Sequence, residues 1–357
     1  MLLIVNHGWT IRNFLFSSFF SKVNKKFDIY LLTNLSQSDL NSMNIKVKGI
    51  YKTIPFKQGW IHERINMRRA GYHFALAGTD TMKIKSSWAI LQRSFLKNIR
   101  IRVETLIMTK VFGTLILSVL DKIDYWLTIR SVNSKYYRDI FEDVGLDVVF
   151  STFSVIVDER LPLYVAKKAG IKTAVNIVSW DNLSSKGRLP YGIDKYFTWS
   201  QLMKNELKDF HNQIDDNQII LSGSPQFDFH KNKSLIDNRN IFCKELDFDP
   251  ERKIILYSGV TISLMPYEDK LIENFIKAIK NKKVDGNPQL IIRLHPSDNG
   301  NRFDKLIEKY EDVKIFIPNR AHSGSKTRAL FGSFNDAKVL MNTLYHTAVH
   351  INTASTM

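Results

Sequence analysis

Cysteine is all but missing from this chain. Cys243 stands alone among 357 residues, which excludes an intramolecular disulfide and any cysteine-based zinc site. A long apolar run is also missing: the richest stretch, Leu106 to Leu120, is broken by Lys110 and followed by Asp121 and Lys122. That falls short of the ~20 apolar residues a membrane-spanning helix needs. No basic leader precedes Met1-Leu2-Leu3-Ile4-Val5, so this opening reads as a strand and not as a signal peptide. P-loop, HExxH and GxSxG motifs do not occur. His62, His73, His211 and His322 stand in polar stretches without partners at metal-ligand spacing, so no metal site is expected. Acidic residues are scarce in one region only: residues 1–140 hold 22 Lys and Arg against 8 Asp and Glu, whereas the remainder is nearly balanced at 29 against 27. A basic face that large suits an anionic partner such as a membrane surface, a polyphosphate or nucleic acid, or it serves solubility.

What is present is ordinary globular material, 44% hydrophobic and 24% charged, which argues against disorder. At this length two domains are more economical than one, because single cores stop growing at about 250–300 residues. The chain is organised around Leu290-Ile291-Ile292-Arg293-Leu294-His295-Pro296. A short apolar run bounded by polar turn formers reads as a buried strand of a parallel sheet. Pro296 cannot donate to a ladder, so the strand ends there and His295 falls at its carboxyl edge, the side on which open α/β sheets bind ligands.

Strands are expected at residues 2–6, 28–33 and 45–50, followed by a basic helical segment over 83–140 in which Trp88, Leu91, Phe95 and Ile99 recur at helical spacing. Beyond it strands and helices alternate. Strands fall at 146–150, 173–178, 193–198 and 218–221, with a helix capped by Asp158 and closed by Gly170. The polar segment 229–252 reads as a linker between a first domain, 1–228, and a second, 253–357. In the second domain a strand ends at Ser258-Gly259, and the next helix shows Leu271, Phe275 and Ile279 on one face. The His-Pro strand follows, and Val349-His350-Ile351-Asn352 is a further strand opening into Thr353-Ala354-Ser355-Thr356. Alternation of this kind predicts two doubly wound, Rossmann-like α/β domains. The last strand should lead into a helix, so the second domain is expected to be incomplete.

Four local patterns over residues 145–357 carry a resemblance: Ser179-Trp180-Asp181-Asn182 with Lys186-Gly187; Gly223-Ser224-Pro225-Gln226-Phe227-Asp228; Leu294-His295-Pro296; and Asn352-Thr353-Ala354-Ser355-Thr356. In this order the chain resembles the surface-polymer branch of the GT-B glycosyltransferases. That branch includes the CDP-glycerol glycerophosphotransferases of teichoic acid synthesis and related capsule transferases. The resemblance implies two domains facing a cleft and transfer of a sugar or polyol phosphate from a nucleotide-activated donor to a polysaccharide or lipid-linked acceptor. Neither cofactor nor metal is implied. It places His295 and Gly259, with Ser355 and Thr356 at a helix start, on the donor's phosphates or nucleotide; Arg293, which alternates with His295 on one side of the strand, could hold the phosphate electrostatically or be buried in an ion pair. Gly8, Asn182, Lys186 and Ser224 would line the acceptor side or the cleft. The family's Trp-His-Gly element, whose His is the proposed base, reads Trp180-Asp181-Asn182 here. Asp181, or alternatively His7 after the first strand, would then deprotonate the acceptor; equally, Asp181 and Asn182 could simply cap a turn. Rival readings are a nucleotide-sugar 2-epimerase of the same fold and, from charge alone, a nucleic-acid-binding protein, although no motif for nucleic acid is present. The first region's charge would suit docking on the inner face of the cell membrane.

Overall fold

The computed structural model describes residues 1–79, 95–154, 157–295, 298, 300–310, 313–316 and 334–352. The chain divides into two compact units: residues 1–6 with 21–224, and residues 7–20 with 225–357. The expected helix positions Trp88 and Leu91, together with His322, Ser355 and Thr356, fall outside the described residues.

The strands are β1 (Leu2–Ile4), β2 (Tyr30–Thr33), β3 (Gly49–Lys52), β4 (Val148–Ser151), β5 (Lys172–Asn176), β6 (Lys195–Thr198), β7 (Ile219–Leu221), β8 (Ile254–Ser258), β9 (Gln289–Arg293), β10 (Val313–Phe316) and β11 (Val349–Asn352). The helices are α1 (Gly8–Leu15), α2 (Ser18–Val23), α3 (Gln37–Ser42), α4 (Trp60–Ala77), α5 (Phe95–Phe112), α6 (Leu115–Ile129), α7 (Ser134–Val144), α8 (Val157–Lys168), α9 (Asn182–Ser185), α10 (Gln201–Phe210), α11 (Arg239–Glu245), α12 (Glu268–Lys280), α13 (Asp304–Lys309) and α14 (Phe334–His346).

In the first unit the sheet order is β3-β2-β1-β4-β5-β6-β7, with every pairing parallel; Leu2 is flanked by Tyr30 and Val149. The order reverses between β1 and β4, which makes the gap outside their carboxyl ends the topological switch point. The strand cores are apolar because helices cover both faces: Leu2, Ile4, Val149, Val175 and Tyr196 are buried with Leu161, Val165 and Leu207 of α8 and α10. The second unit carries β10-β9-β8-β11, again all parallel, with its reversal between β8 and β11.

Several local expectations shift. The third strand runs over 49–52 instead of 45–50, because α3 ends at Met43 and Asn44 takes a left-handed φ of 55°, delaying the extended run. Asp158 does not cap its helix from outside. It lies in the first turn and its carboxylate accepts the Phe56 amide at 2.8 Å. The core face of α12 is Ile272, Ile276 and Ile279, one row over from the expected stripe, leaving Leu271 exposed. The segment 229–252, expected as a linker, is folded into the second unit: Leu235, Phe242, Cys243 and Phe248 are buried there, against Ile254, Leu256 and Ile291 or against α14. Its polar surface conceals four well-placed apolar residues. Residues 7–20 likewise group with the second unit although they directly follow β1.

Candidate functional site

The carboxyl edge of the second sheet is built from two laced loops. The Gly259 amide donates to the Arg293 carbonyl at 2.8 Å, and the Leu294 amide donates to Phe316 at 2.9 Å. Arg302 reaches across: it donates to Asp298 at 2.6 Å, to Glu268 at 2.6 Å and to the Met265 carbonyl at 2.7 Å. Glu268, fully buried, also accepts the Tyr257 hydroxyl and the Val260 amide, each at 3.0 Å. The loop after β8 and the loop after β9 are therefore one hydrogen-bonded body, and His295 sits on it, half-buried, with its carbonyl accepting the Asp298 amide at 2.8 Å.

Charge at this edge is carried by arginine. Burial draws the Arg293 guanidinium down to about 10; Asp336 of α14 opposes the shift and Arg12 of α1 adds to it. Arg12 is itself lowered by burial. Both guanidiniums are half-buried, and with Asp336 offsetting Arg293 in part they leave positive charge at this edge that suits an anion. Burial also holds the His295 imidazole below its ordinary range, although Asp298 and Glu268 pull the other way. At neutral pH it is therefore an uncharged hydrogen-bond donor, and the cationic part falls to the arginines. At the switch point, Ser258 pairs with His350 at 2.6 Å, and Asn352 is Ser258's register partner.

Arg12 escaped sequence reasoning. It lies some 280 positions from Arg293, and nothing in an eight-residue helix after the first strand distinguishes it. His7 caps α1, with Thr10 bridging back to its carbonyl at 2.9 Å and to its amide at 3.3 Å; Gly8 is the first helical residue. His7, Gly8, Arg12, Gly259, Arg293 and His295 thus all belong to the second unit.

Asp181, Asn182, Lys186 and Ser224 belong to the first unit. Asp181 precedes the short α9, beyond the carboxyl end of β5, and its carboxylate accepts Ser179 Oγ at 2.5 Å and Ser185 Oγ at 2.8 Å. Burial would raise its carboxyl, but these two hydroxyls together with its own backbone amide and the Lys186 charge leave the group below the ordinary range. Asp181 is thereby an ionised turn-former whose basicity is reduced. Asn182 is buried and accepts the Ser179 amide at 3.2 Å, Lys186 is exposed at the helix end, and Trp180 is 60% exposed.

A buried carboxyl with a raised pKa stands at the first unit's switch point. Glu159, in the first turn of α8, is fully buried; it accepts Ser151 Oγ at 2.5 Å and the Phe153 amide at 3.1 Å. Burial lifts it to about 7 against the pull of Ser151, Phe153 and Asn6. Carboxyls poised near neutrality are suited to general acid–base work. In the sequence, Val157-Asp158-Glu159-Arg160 reads as a solvated helix start, so only its burial reveals it.

Three of the histidines left unassigned by the sequence, His62, His73 and His211, are buried structure. His62 shares Asp124 with Arg160 and Tyr164, at 2.7, 3.1 and 3.2 Å, and Asp121 accepts Arg69 at 2.5 Å and Arg188 at 2.9 Å. This ionic web joins α4, α6 and α8 to the 186–191 loop. The His73 and His211 rings meet beside it at 4.7 Å, tilted by 39°. No group of three potential metal ligands exists among the described residues.

Two parallel-sheet α/β units of this kind define the GT-B fold. Solved structures similar to the chain include the UDP-GlcNAc 2-epimerase from Methanocaldococcus jannaschii (12% identity, 99% of this chain and 79% of that one, TM-score 0.52). The S. aureus MnaA–UDP co-structure matches at 7% identity, with 99% and 73% covered and a TM-score of 0.53. The Neisseria meningitidis UDP-GlcNAc 2-epimerase bound to UDP-GlcNAc matches at 9% identity, with 99% and 77% covered and a TM-score of 0.50. At such identities the likeness is one of fold. No protein-family model and no curated protein matches the sequence.

Proposed function

We propose that the chain is an enzyme that takes a nucleotide-activated sugar or polyol phosphate and transfers the activated unit to a polysaccharide or lipid-linked precursor of the cell surface. The observation supporting this reading is that two half-buried guanidiniums of one unit, Arg293 and Arg12, act on each other electrostatically, and that Arg293 ends the strand that leads to a neutral His295 at a parallel sheet's carboxyl edge. Such a locus fits a diphosphate: the guanidiniums offset its charge and the imidazole donates a hydrogen bond. In transfer, an acceptor hydroxyl attacks the activated carbon or phosphorus and the bond to the departing nucleotide breaks. The negative charge grows on the oxygen held by Arg293, Arg12 and His295. The hydroxyl proton passes to a carboxylate, and Asp181 has the resemblance to the family's base position in its favour. His7 is the alternative. Displacement on a sugar would be direct and inverting. Ser355 and Thr356 would add hydroxyl and amide donors to the phosphates.

A second reading, a nucleotide-sugar 2-epimerase, has equal support from the similar structures: the M. jannaschii and N. meningitidis proteins are UDP-GlcNAc 2-epimerases, the latter bound to UDP-GlcNAc, and the S. aureus MnaA structure holds UDP. The two separate on one experiment, in which UDP-, CDP- and GDP-linked donors are incubated with the chain with and without a surface-polymer acceptor. Release of free nucleotide only when acceptor is present is the expected result. Inversion at C2 of a sugar donor without acceptor would establish the second reading, and no change in any donor would overturn both.

A further inference from the structure

A large apolar surface of the first unit has no role in the site above. On α5, Ile99, Val103, Leu106, Ile107 and Val111 are each 44% exposed or more. They follow helical spacing along one side, while the opposite side is occupied: Glu104 bonds Arg68 and Tyr72 of α4, and Met108 packs with Tyr72, Leu117 and Leu120. The chain then bends by 109° into α6, and the apolar surface continues there at Leu115, Val119 and Trp126, 63%, 45% and 51% exposed. Exposed contiguous apolar surface of this extent marks a contact with something.

The charges say with what. From Ile99 through Arg130, which follows α6, the exposed charged side chains are Arg100, Arg102, Lys110, Lys122 and Arg130, all cations. The three acids of the span are engaged inward: Glu104 by Arg68, Asp121 by Arg69 and Arg188, Asp124 by His62 and Arg160. Arg130 stacks its guanidinium 3.3 Å from the centre of the Trp126 ring, so an aromatic and a cation share one spot on the rim. A second copy on this face would bring like charges together, whereas an anionic bilayer meets the apolar stripe with acyl chains and the rim with headgroups. Neither helix is long and apolar enough to cross a membrane by itself, which suits lying in the interface.

We propose that the bent α5–α6 pair is a membrane-docking surface that lies in the headgroup layer of an anionic bilayer, with Val111, Phe112 and Leu115 at the bend entering deepest. The proposal depends on no step of the reaction above.

The test is co-sedimentation of the full chain with vesicles of phosphatidylcholine alone or with about a third phosphatidylglycerol, at low and high salt. Binding to the anionic vesicles at low salt, weakened by salt and by omission of phosphatidylglycerol, is expected. Val111→Glu with Leu115→Glu should reduce the partition coefficient at least ten-fold while leaving thermal unfolding unchanged, since both side chains are largely solvent-exposed. Lys110→Ala and Lys122→Ala should each reduce it about five-fold. A Leu115→Cys variant labelled with a polarity-sensitive dye should blue-shift on anionic vesicles; Cys243 is fully buried and will not compete for label. Failure to sediment with anionic vesicles at low salt overturns the proposal. So does binding that the double glutamate variant leaves intact, or self-association that this variant abolishes while vesicles capture nothing.

Discussion

The buried, touching pair His73 and His211 makes the first unit acid-sensitive by a calculable amount. His211 is fully buried and His73 nearly so; neither His211 ring nitrogen nor His73 Nε2 has a hydrogen-bond partner among the described residues. Burial, with Arg188 and Arg69 nearby, pushes His73 down to about 3, and burial with His73 and the same arginines pushes His211 well below its ordinary range. Both rings are therefore neutral in the fold, while the unfolded chain takes up protons near pH 6.5. The stabilising contribution is complete above that value and is lost as pH falls toward the folded value. From pH 7 to pH 5 the linkage relation gives about 2 kcal/mol per histidine, about 4 for the pair. Glu159 acts in the opposite sense, its folded value being raised, so the comparison must be between variants. His211→Phe keeps a ring of similar shape and removes one titrating group. His73 keeps its own depression, whose causes are burial and the two arginines. Urea unfolding at pH 7, 6 and 5 can be followed by tryptophan fluorescence, because five of the six tryptophans lie in residues 21–224. The variant's stability should fall about 2 kcal/mol less between pH 7 and 5 than the parent's. Equal losses would refute the claim that His211 is held neutral.

Three further outcomes follow from the buried charges. Asp121→Asn strips Arg188 of its carboxylate, leaves Arg69 only Asp124 at 3.7 Å, and should cost about 3–5 kcal/mol in urea unfolding; a loss under 1 kcal/mol would show that water or Asp124 compensates the guanidiniums. Glu159→Gln should leave stability near pH 4.5 almost unchanged yet raise it by about 3 kcal/mol at pH 8, because the parent loses stability as pH rises through the carboxyl's value of about 7. A variant whose pH profile overlays the parent's would contradict the raised carboxyl. Arg302→Met leaves Glu268 and Asp298 without their common cation and should lower the melting point of the second unit by several degrees, with nucleotide binding weakened alongside; unchanged nucleotide affinity would show that the two loops hold without it.

The sequence reveals strands better than it reveals partners. β9 and His295 are legible because an apolar run stopped by Pro296 has one reading in a parallel sheet, and the alternation after residue 145 is regular enough to specify doubly wound units. The segment 229–252 misled because four buried residues, Leu235, Phe242, Cys243 and Phe248, are spaced too irregularly to show a period. Arg12 and Glu159 were invisible for another reason: their significance is desolvation, which depends on what packs over them and not on their neighbours in the chain. The same holds for His62, His73 and His211, polar by context and buried in fact. At Asp181 sequence reading left base and turn-former open, and the structure adds two serine hydroxyls on its carboxylate.

The central claim is that Arg12 and Arg293 hold the diphosphate of a nucleotide-linked substrate. Calorimetric titration of UDP, CDP and GDP into the parent, Arg12→Ala and Arg293→Ala tests it most directly. At least one nucleotide should bind the parent with affinity that falls as salt rises, and each substitution should weaken it by about 10- to 150-fold, the worth of a charge-assisted hydrogen bond. Binding that is equally tight in parent and Arg293→Ala, or no binding of any nucleoside diphosphate, would contradict it.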